Sequence, residues 1–148
     1  MGAAGNSVVP SRLKANPRGR LGSEMAPDAG WRQKFGRAGE RFAERILREA
    51  GLTIVANRFR RQGGEIDLVA LDGVTLIFVE VKTRRPGPYG EAIQAVSFTK
   101  RRRLAATARR YVRETGQSWR PIRFDVVAVT SNQSGRLSAR WIRDAFRP

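Results

Sequence analysis

The stretch GGEIDLVALDGVTLIFVEVKTR, residues 63–84, limits the fold more than any other part of the chain. Two apolar runs flank Asp72-Gly73, a dipeptide that favours two-residue hairpin turns, so antiparallel strands are expected over 65–71 and 75–83. A turn centred on Asp72-Gly73 sets Leu71 opposite Val74, Asp67 opposite Phe78 and Glu65 opposite Glu80. Side chains alternate along a strand with period two, so Glu65, Asp67, Glu80 and Lys82 share one face. Like charges across a ladder destabilise it, and a half-buried carboxylate needs a proton or a cation. Lys82 supplies one positive charge. A divalent ion would supply the rest, and carboxylate donors suit magnesium or manganese. A lone Glu-x-Lys on a strand is ordinarily a surface ion pair. Here the apolar FVEVK context and a second acid within reach favour a metal site.

The rest of the chain surrounds this hairpin. GRAGERFAERILREAG places Phe42, Ala43, Ile46, Leu47 and Ala50 on one helical face and stops at Gly51. Glu40 lies at the border of that stripe, so it can look toward whatever the helix packs on. Further expectations are a strand over 53–60, a helix over 98–114 burying Leu104, Ala105, Ala108, Tyr111 and Val112, a strand over 122–130, and a short Arg/Trp tail in which a last strand stays open. The order αβββαβ describes a mixed α/β domain with helices packed on a sheet. Residues 1–34, rich in Gly, Ala, Pro and Arg, read as a mobile basic tail ahead of one domain at 35–148.

The available chemistry is narrow. None of the 148 residues is His or Cys, which excludes Ser-His-Asp and Cys-His nucleophiles, imidazole acid–base catalysis, disulfides and the usual zinc sites. At 41% hydrophobic and 28% charged the chain can bury a core. No apolar run approaches a membrane span and no signal-peptide core opens the chain, so a cytoplasmic location without membrane contact is expected. The formal charge of +16, from 29 basic and 13 acidic residues, points to a polyanionic partner. Only four of the basic residues are Lys, which singles out Lys82 and Lys100 within the domain.

On the second helix Arg102, Arg103, Arg109, Arg110 and Arg113 face away from the apolar stripe. No acid precedes Glu114 there, so these guanidinium groups are expected to be uncompensated within the helix and to meet phosphates. Lys100, at the edge of the stripe, could reach the acidic face. Arg58, Arg60, Arg61, Arg84 and Arg85, near strand ends, extend a positive rim. Trp31, Tyr89, Trp119 and Trp141 are either stacking surfaces or packing.

The strings GRAGE at 36–40, NRFRRQGGEIDLVALD at 57–72, FVEVKTR at 78–84 and RFDVVAV at 123–129 together resemble the YraN-like family of small bacterial proteins. That family falls within the PD-(D/E)xK, restriction-endonuclease-like nuclease superfamily. The resemblance implies an αβββαβ core with a mixed sheet flanked by helices, and a metal-dependent endonuclease acting on DNA. By likeness to resolvase members, the substrate would be branched or flapped DNA and the protein a homodimer. It implies Asp67 and Glu80 as ligands of Mg²⁺ or Mn²⁺ together with the Val81 carbonyl. Lys82 would position or help deprotonate the attacking water, and Glu40 would orient the ion's water or hold a second ion. Glu65 has no settled role in that pattern: it is either a further ligand or the partner of a basic residue. Two other readings stay open, a non-catalytic protein binding DNA or RNA on the same fold and, less favoured, a membrane-surface adaptor.

Overall fold

The computed structural model describes residues 7–9, 29–85 and 96–148. Strand β1 (Ser7–Val9) precedes helix α1 (Ala29–Glu49). Strands β2 (Thr53–Arg61), β3 (Gly64–Asp72) and β4 (Thr75–Arg84), helix α2 (Phe98–Glu114), and strands β5 (Ile122–Ser131) and β6 (Leu137–Phe146) follow. The strands form one sheet in the order β1-β6-β5-β4-β3-β2. The β4–β5 pairing is parallel and the other pairings are antiparallel. This is a mixed sheet with the expected αβββαβ core.

Each helix covers one face of the sheet. Phe42, Ala43, Ile46 and Leu47 of α1 pack on Leu68, Ala70, Ile77, Val79, Val127 and Trp141. Leu104, Ala105, Ala108 and Tyr111 of α2 pack on Ile66, Val69, Leu76, Phe78, Phe124 and Val126. Buried on both faces, β4 reads as a continuous apolar run rather than an alternating one. Helix α1 ends where Gly51 adopts φ +94, a value costly for residues with a Cβ. Helix α2 begins at Ser97, whose Oγ accepts the Lys100 N–H at 3.2 Å. Thr107 joins its buried face, its hydroxyl satisfied by the Arg103 carbonyl at 2.9 Å. Ala50 is exposed and Val112 only partly covered.

Three expectations need correction. The hairpin turn is Gly73-Val74, not Asp72-Gly73: Asp72 pairs with Thr75 and Leu71 with Leu76. Gly73 has φ +57 while Val74 does not lie at positive φ, as in two-residue turns that take Gly first. The register of the paired rungs therefore moves by two residues and the pairing ends at Leu68–Val79, so neither the Asp67–Phe78 nor the Glu65–Glu80 pair forms. Next, α1 starts at Ala29, well before Gly36. Trp31 and Phe35, one helical turn apart, stack with ring centroids 4.8 Å from each other and extend the apolar stripe backward. Lastly, the segment read as a tail contributes β1, which pairs Ser7 with Trp141 and Val9 with Ala139 along β6. The Pro/Gly loop with Tyr89 lies outside the described residues.

Trp141 belongs to the core: it is buried, and its indole Nε1 donates to Asp125 Oδ2 at 2.9 Å. The wholly buried Asp125 also accepts Arg123 in a two-pronged contact and the Asp144 N–H. Gly39 is where α1 comes closest to β4, since a Cβ there would overlap the Thr83 side chain. Gly39→Ala is expected to destabilise the protein by about 1–3 kcal/mol. Adding Thr83→Ala should recover part of that loss, as read by denaturant unfolding of both single variants and the double.

Candidate functional site

The β3–β4 ladder stops at Leu68 opposite Val79. One step further, Asp67 Oδ2 accepts the Val81 N–H at 2.8 Å, a side chain standing in for a strand partner. The apolar alternation breaks at the same place. Leu68 and Ala70 pack toward α1 and Val69 toward α2, yet Ile66 also packs toward α2. Beside Asp67 on the next strand, between the pairs Asn57–Leu68 and Phe59–Ile66, Arg58 takes φ +51. Both strands thus deform at one rung, and the sheet opens where the acids gather.

Glu80 is 5% exposed and receives two ammonium groups, Lys100 Nζ at 3.0 Å and Lys82 Nζ at 3.6 Å, both on Oε1. Lys100 comes from the first turn of α2, so the helix reaches the acid centre as its place at the edge of the stripe allowed. Glu40 is gripped by Arg58, with Nε to Oε2 at 2.7 Å and Nη2 to Oε1 at 3.0 Å. Glu65 is bound by Arg60 at 2.7 Å, the second of its two expected roles. Asp67 alone of these four acids has no ion pair among the described residues. Burial, followed by the nearby charge of Glu80, pushes its carboxyl up to about 7, against the pull of the Val81 N–H.

The strand pair therefore brings Asp67, Glu80 and Lys82 together. Glu40 and Glu65 lie near enough to act on the charge of Asp67, but each is satisfied by an arginine. Among the described residues no three acids converge as a ready-made metal cage. The donors that suit a hard cation are the carboxylates of Asp67 and Glu80 and, on the edge of β4 facing Asp67, the Val81 carbonyl. Sequence reasoning placed Arg58 in the rim for phosphates, whereas it clamps Glu40. Nothing in the sequence marks that role, because it depends on a left-handed backbone at a residue type that rarely takes one.

On α2, Arg102, Arg103, Arg109 and Arg113 are exposed as expected. Arg110 is not uncompensated: Glu114, four residues on, lies 3.7 Å from it and also binds Arg61. Arg84 is exposed at the end of β4, and Arg85 lies over the Trp31 ring at 3.5 Å. No helix among the described residues is long and apolar enough to cross a membrane.

Fold and site define a class: a small, strongly basic α/β protein with a carboxylate pair and two lysines where the central strand pairing opens. The family model described as "Uncharacterised protein family UPF0102" matches residues 39–129, from Gly39 at the α1–β4 contact to Val129 near the end of β5. The chain is similar to a UPF0102 protein of Rhodococcus jostii, 44% identical over 112 residues, which cover 76% of this chain and 95% of the relative. Another, from Symbiobacterium thermophilum, is 46% identical over 114 residues, covering 77% and 97%. A third, from Pseudomonas syringae, is 37% identical over 116 residues, covering 78% and 94%. The protein belongs to the UPF0102 family, the YraN-like group that its motifs resemble.

Because Asp67 binds its proton more tightly in the fold, folded protein keeps a proton that unfolded chain releases between the ordinary 3.8 and about 7. Stability of the metal-free protein therefore falls as pH rises through that window. Its melting temperature is expected to be higher at about pH 5 than at about pH 8. Asp67→Asn should flatten the profile and melt above the parent at the higher pH. A parent profile without that fall would contradict a charge-deficient Asp67.

Proposed function

We propose that this protein is a divalent-metal-dependent endonuclease that hydrolyses DNA phosphodiester bonds. Asp67 carries the reading: a half-buried carboxylate beside Glu80, held by one backbone N–H and by no cation among the described residues, has the charge deficit that a divalent ion would fill. Asp67 and Glu80, with the Val81 carbonyl, would hold Mg²⁺ or Mn²⁺. Such an ion supplies charge neutralisation at phosphate oxygens and a more acidic water. Lys82 and Lys100 hold Glu80 from two elements and place positive charge where a phosphate would lie. Glu40, fixed by Arg58, borders the site as a second-tier acid that can orient water. The arginines of α2 and the net charge of the chain gather the polyanion.

One observation favours a second reading. Glu80 is already neutralised by two lysines, so the fold is electrostatically tolerable at that residue without an ion, as a non-catalytic nucleic-acid-binding protein would need. Calorimetric titration of Mn²⁺ separates the two readings. Under the nuclease reading the parent binds the ion, and Glu80→Ala and Asp67→Ala do not. Cleavage of linear, nicked, branched or single-stranded DNA should fall about 100-fold or more in Asp67→Ala, Glu80→Ala and Lys82→Ala, with a 10–100-fold fall in Lys100→Met, an outer partner of a ligand. Nucleic-acid binding without ion binding or cleavage, indifferent to these substitutions, would establish the second reading instead.

A further inference from the structure

The outer face of α2 forms a groove that the acid centre does not use. Phe98, Arg102, Ala106, Arg109 and Arg113 recur at spacings of three and four, so they line one row about 22 Å long on the helix. The β2–β3 turn, residues 61–63, forms the opposite wall, enclosing about 710 Å³. Gly64 sets the closeness of the walls, because a Cβ there would overlap the Thr107 hydroxyl. A second hollow of about 520 Å³ shares Arg61, Gly63 and Arg103 with the first and extends to Glu65 and Lys100. Lys100 is the residue that touches Glu80. The two hollows run from the outside of α2 to Lys100, the contact of Glu80.

The lining has two chemistries. No acid lines the larger groove, and Arg102, Arg103 and Arg109 make no ion pair among the described residues. Phe98, 74% exposed, is the most exposed large hydrophobic side chain described, and the Arg102 guanidinium lies over its ring at 5.8 Å. A row of cations suits a phosphate backbone, and an open aromatic ring at its end suits the face of a base. In a duplex the base faces are stacked on one another, so only an unpaired strand can use both features.

We propose that this groove binds a single-stranded polynucleotide, with phosphates along the arginine row and a base stacked on Phe98, and leads that strand to the acid pair. The inference rests on the nucleic-acid reading above and names its substrate class: nucleic acid with an unpaired segment. It is tested by binding alone, in EDTA, so that a failure of cleavage chemistry does not enter.

The probes are labelled oligo(dT), an abasic strand of equal length and a blunt duplex, followed by fluorescence anisotropy against salt. Oligo(dT) should bind more tightly than the duplex. Phe98→Ala should weaken oligo(dT) binding by about 5–150-fold, the range of a stacked base, and leave the abasic strand unchanged. Replacing Arg102, Arg109 and Arg113 with Ala together should lower the slope of log affinity on log salt by about 2 for both single strands. Equal effects of Phe98→Ala on the two strands, no effect on either, or tighter binding to the duplex would overturn the groove. Phe98 and these arginines are solvent-exposed, so folding is expected to survive, and circular dichroism of each variant confirms it. Selective binding without cleavage in any metal would leave the groove standing and overturn the nuclease reading.

Discussion

The hydrogen bond from the Val81 N–H to Asp67 is the contact from which the site follows. A strand residue in the middle of a sheet ordinarily gives its N–H to a backbone carbonyl on the next strand. At Val81 a carboxylate takes that place, so β3 and β4 part company while the Val81 N–H keeps a partner. The parting admits Lys100 from one face and Glu40 from the other. Glycine makes both approaches close: Gly39 seats α1 on Thr83, and Gly64 seats α2 on β3 through Thr107. Side chains at those two positions would push apart the elements that carry Glu40 and Lys100.

Charge is distributed unevenly around this opening. Four acids meet four cations, but three of the acids take all of them: Arg58 on Glu40, Arg60 on Glu65, and both lysines on Glu80. Arginine takes the two-pronged contacts, where its planar fork matches a carboxylate, and lysine the point contacts. Asp67, half-buried beside them, is the one left without an ion pair among the described residues. A structural ion-pair network would place its best cation at its most buried acid, because an unpaired buried charge is the costliest arrangement. Glu80, the most buried of the four, follows that order with two lysines, whereas Asp67 is held by one backbone N–H.

Much of this was legible in the sequence, for a reason that the hairpin makes plain. Its register differs from the expected one by two residues, and a shift of two preserves which face each side chain occupies, whereas a shift of one would have turned Glu80 and Lys82 to the other face. Glu80 and Lys82 therefore keep their expected face despite the misplaced turn, and Asp67 comes beside Glu80 through its bond to the Val81 N–H. The second helix was readable because its apolar spacing and its basic run agree with one another. The first turns of α1 were not readable, because they depend on a Trp31–Phe35 stack inside a Gly-rich context. Arg58 and Ile66 were not readable either: both break strand alternation, and periodicity assumes that it holds.

The two roles of α2 bear on how the site and the basic surface act together. Its first turn delivers Lys100 to Glu80, while the row beginning two residues earlier at Phe98 runs along the outside of the same helix. Ser97 fixes where that helix begins, and therefore where both features stand relative to the acids. A negative ligand drawn along the arginine row meets Lys100 and Arg103 before it meets Glu80, so the repulsion between phosphate and carboxylate is offset at the point of approach. Charge that would otherwise bar a polyanion from an acidic centre is thus arranged in sequence along its path. The excess of arginine over acid in this chain is, on that reading, the condition that lets an acidic centre sit inside a polyanion-binding protein.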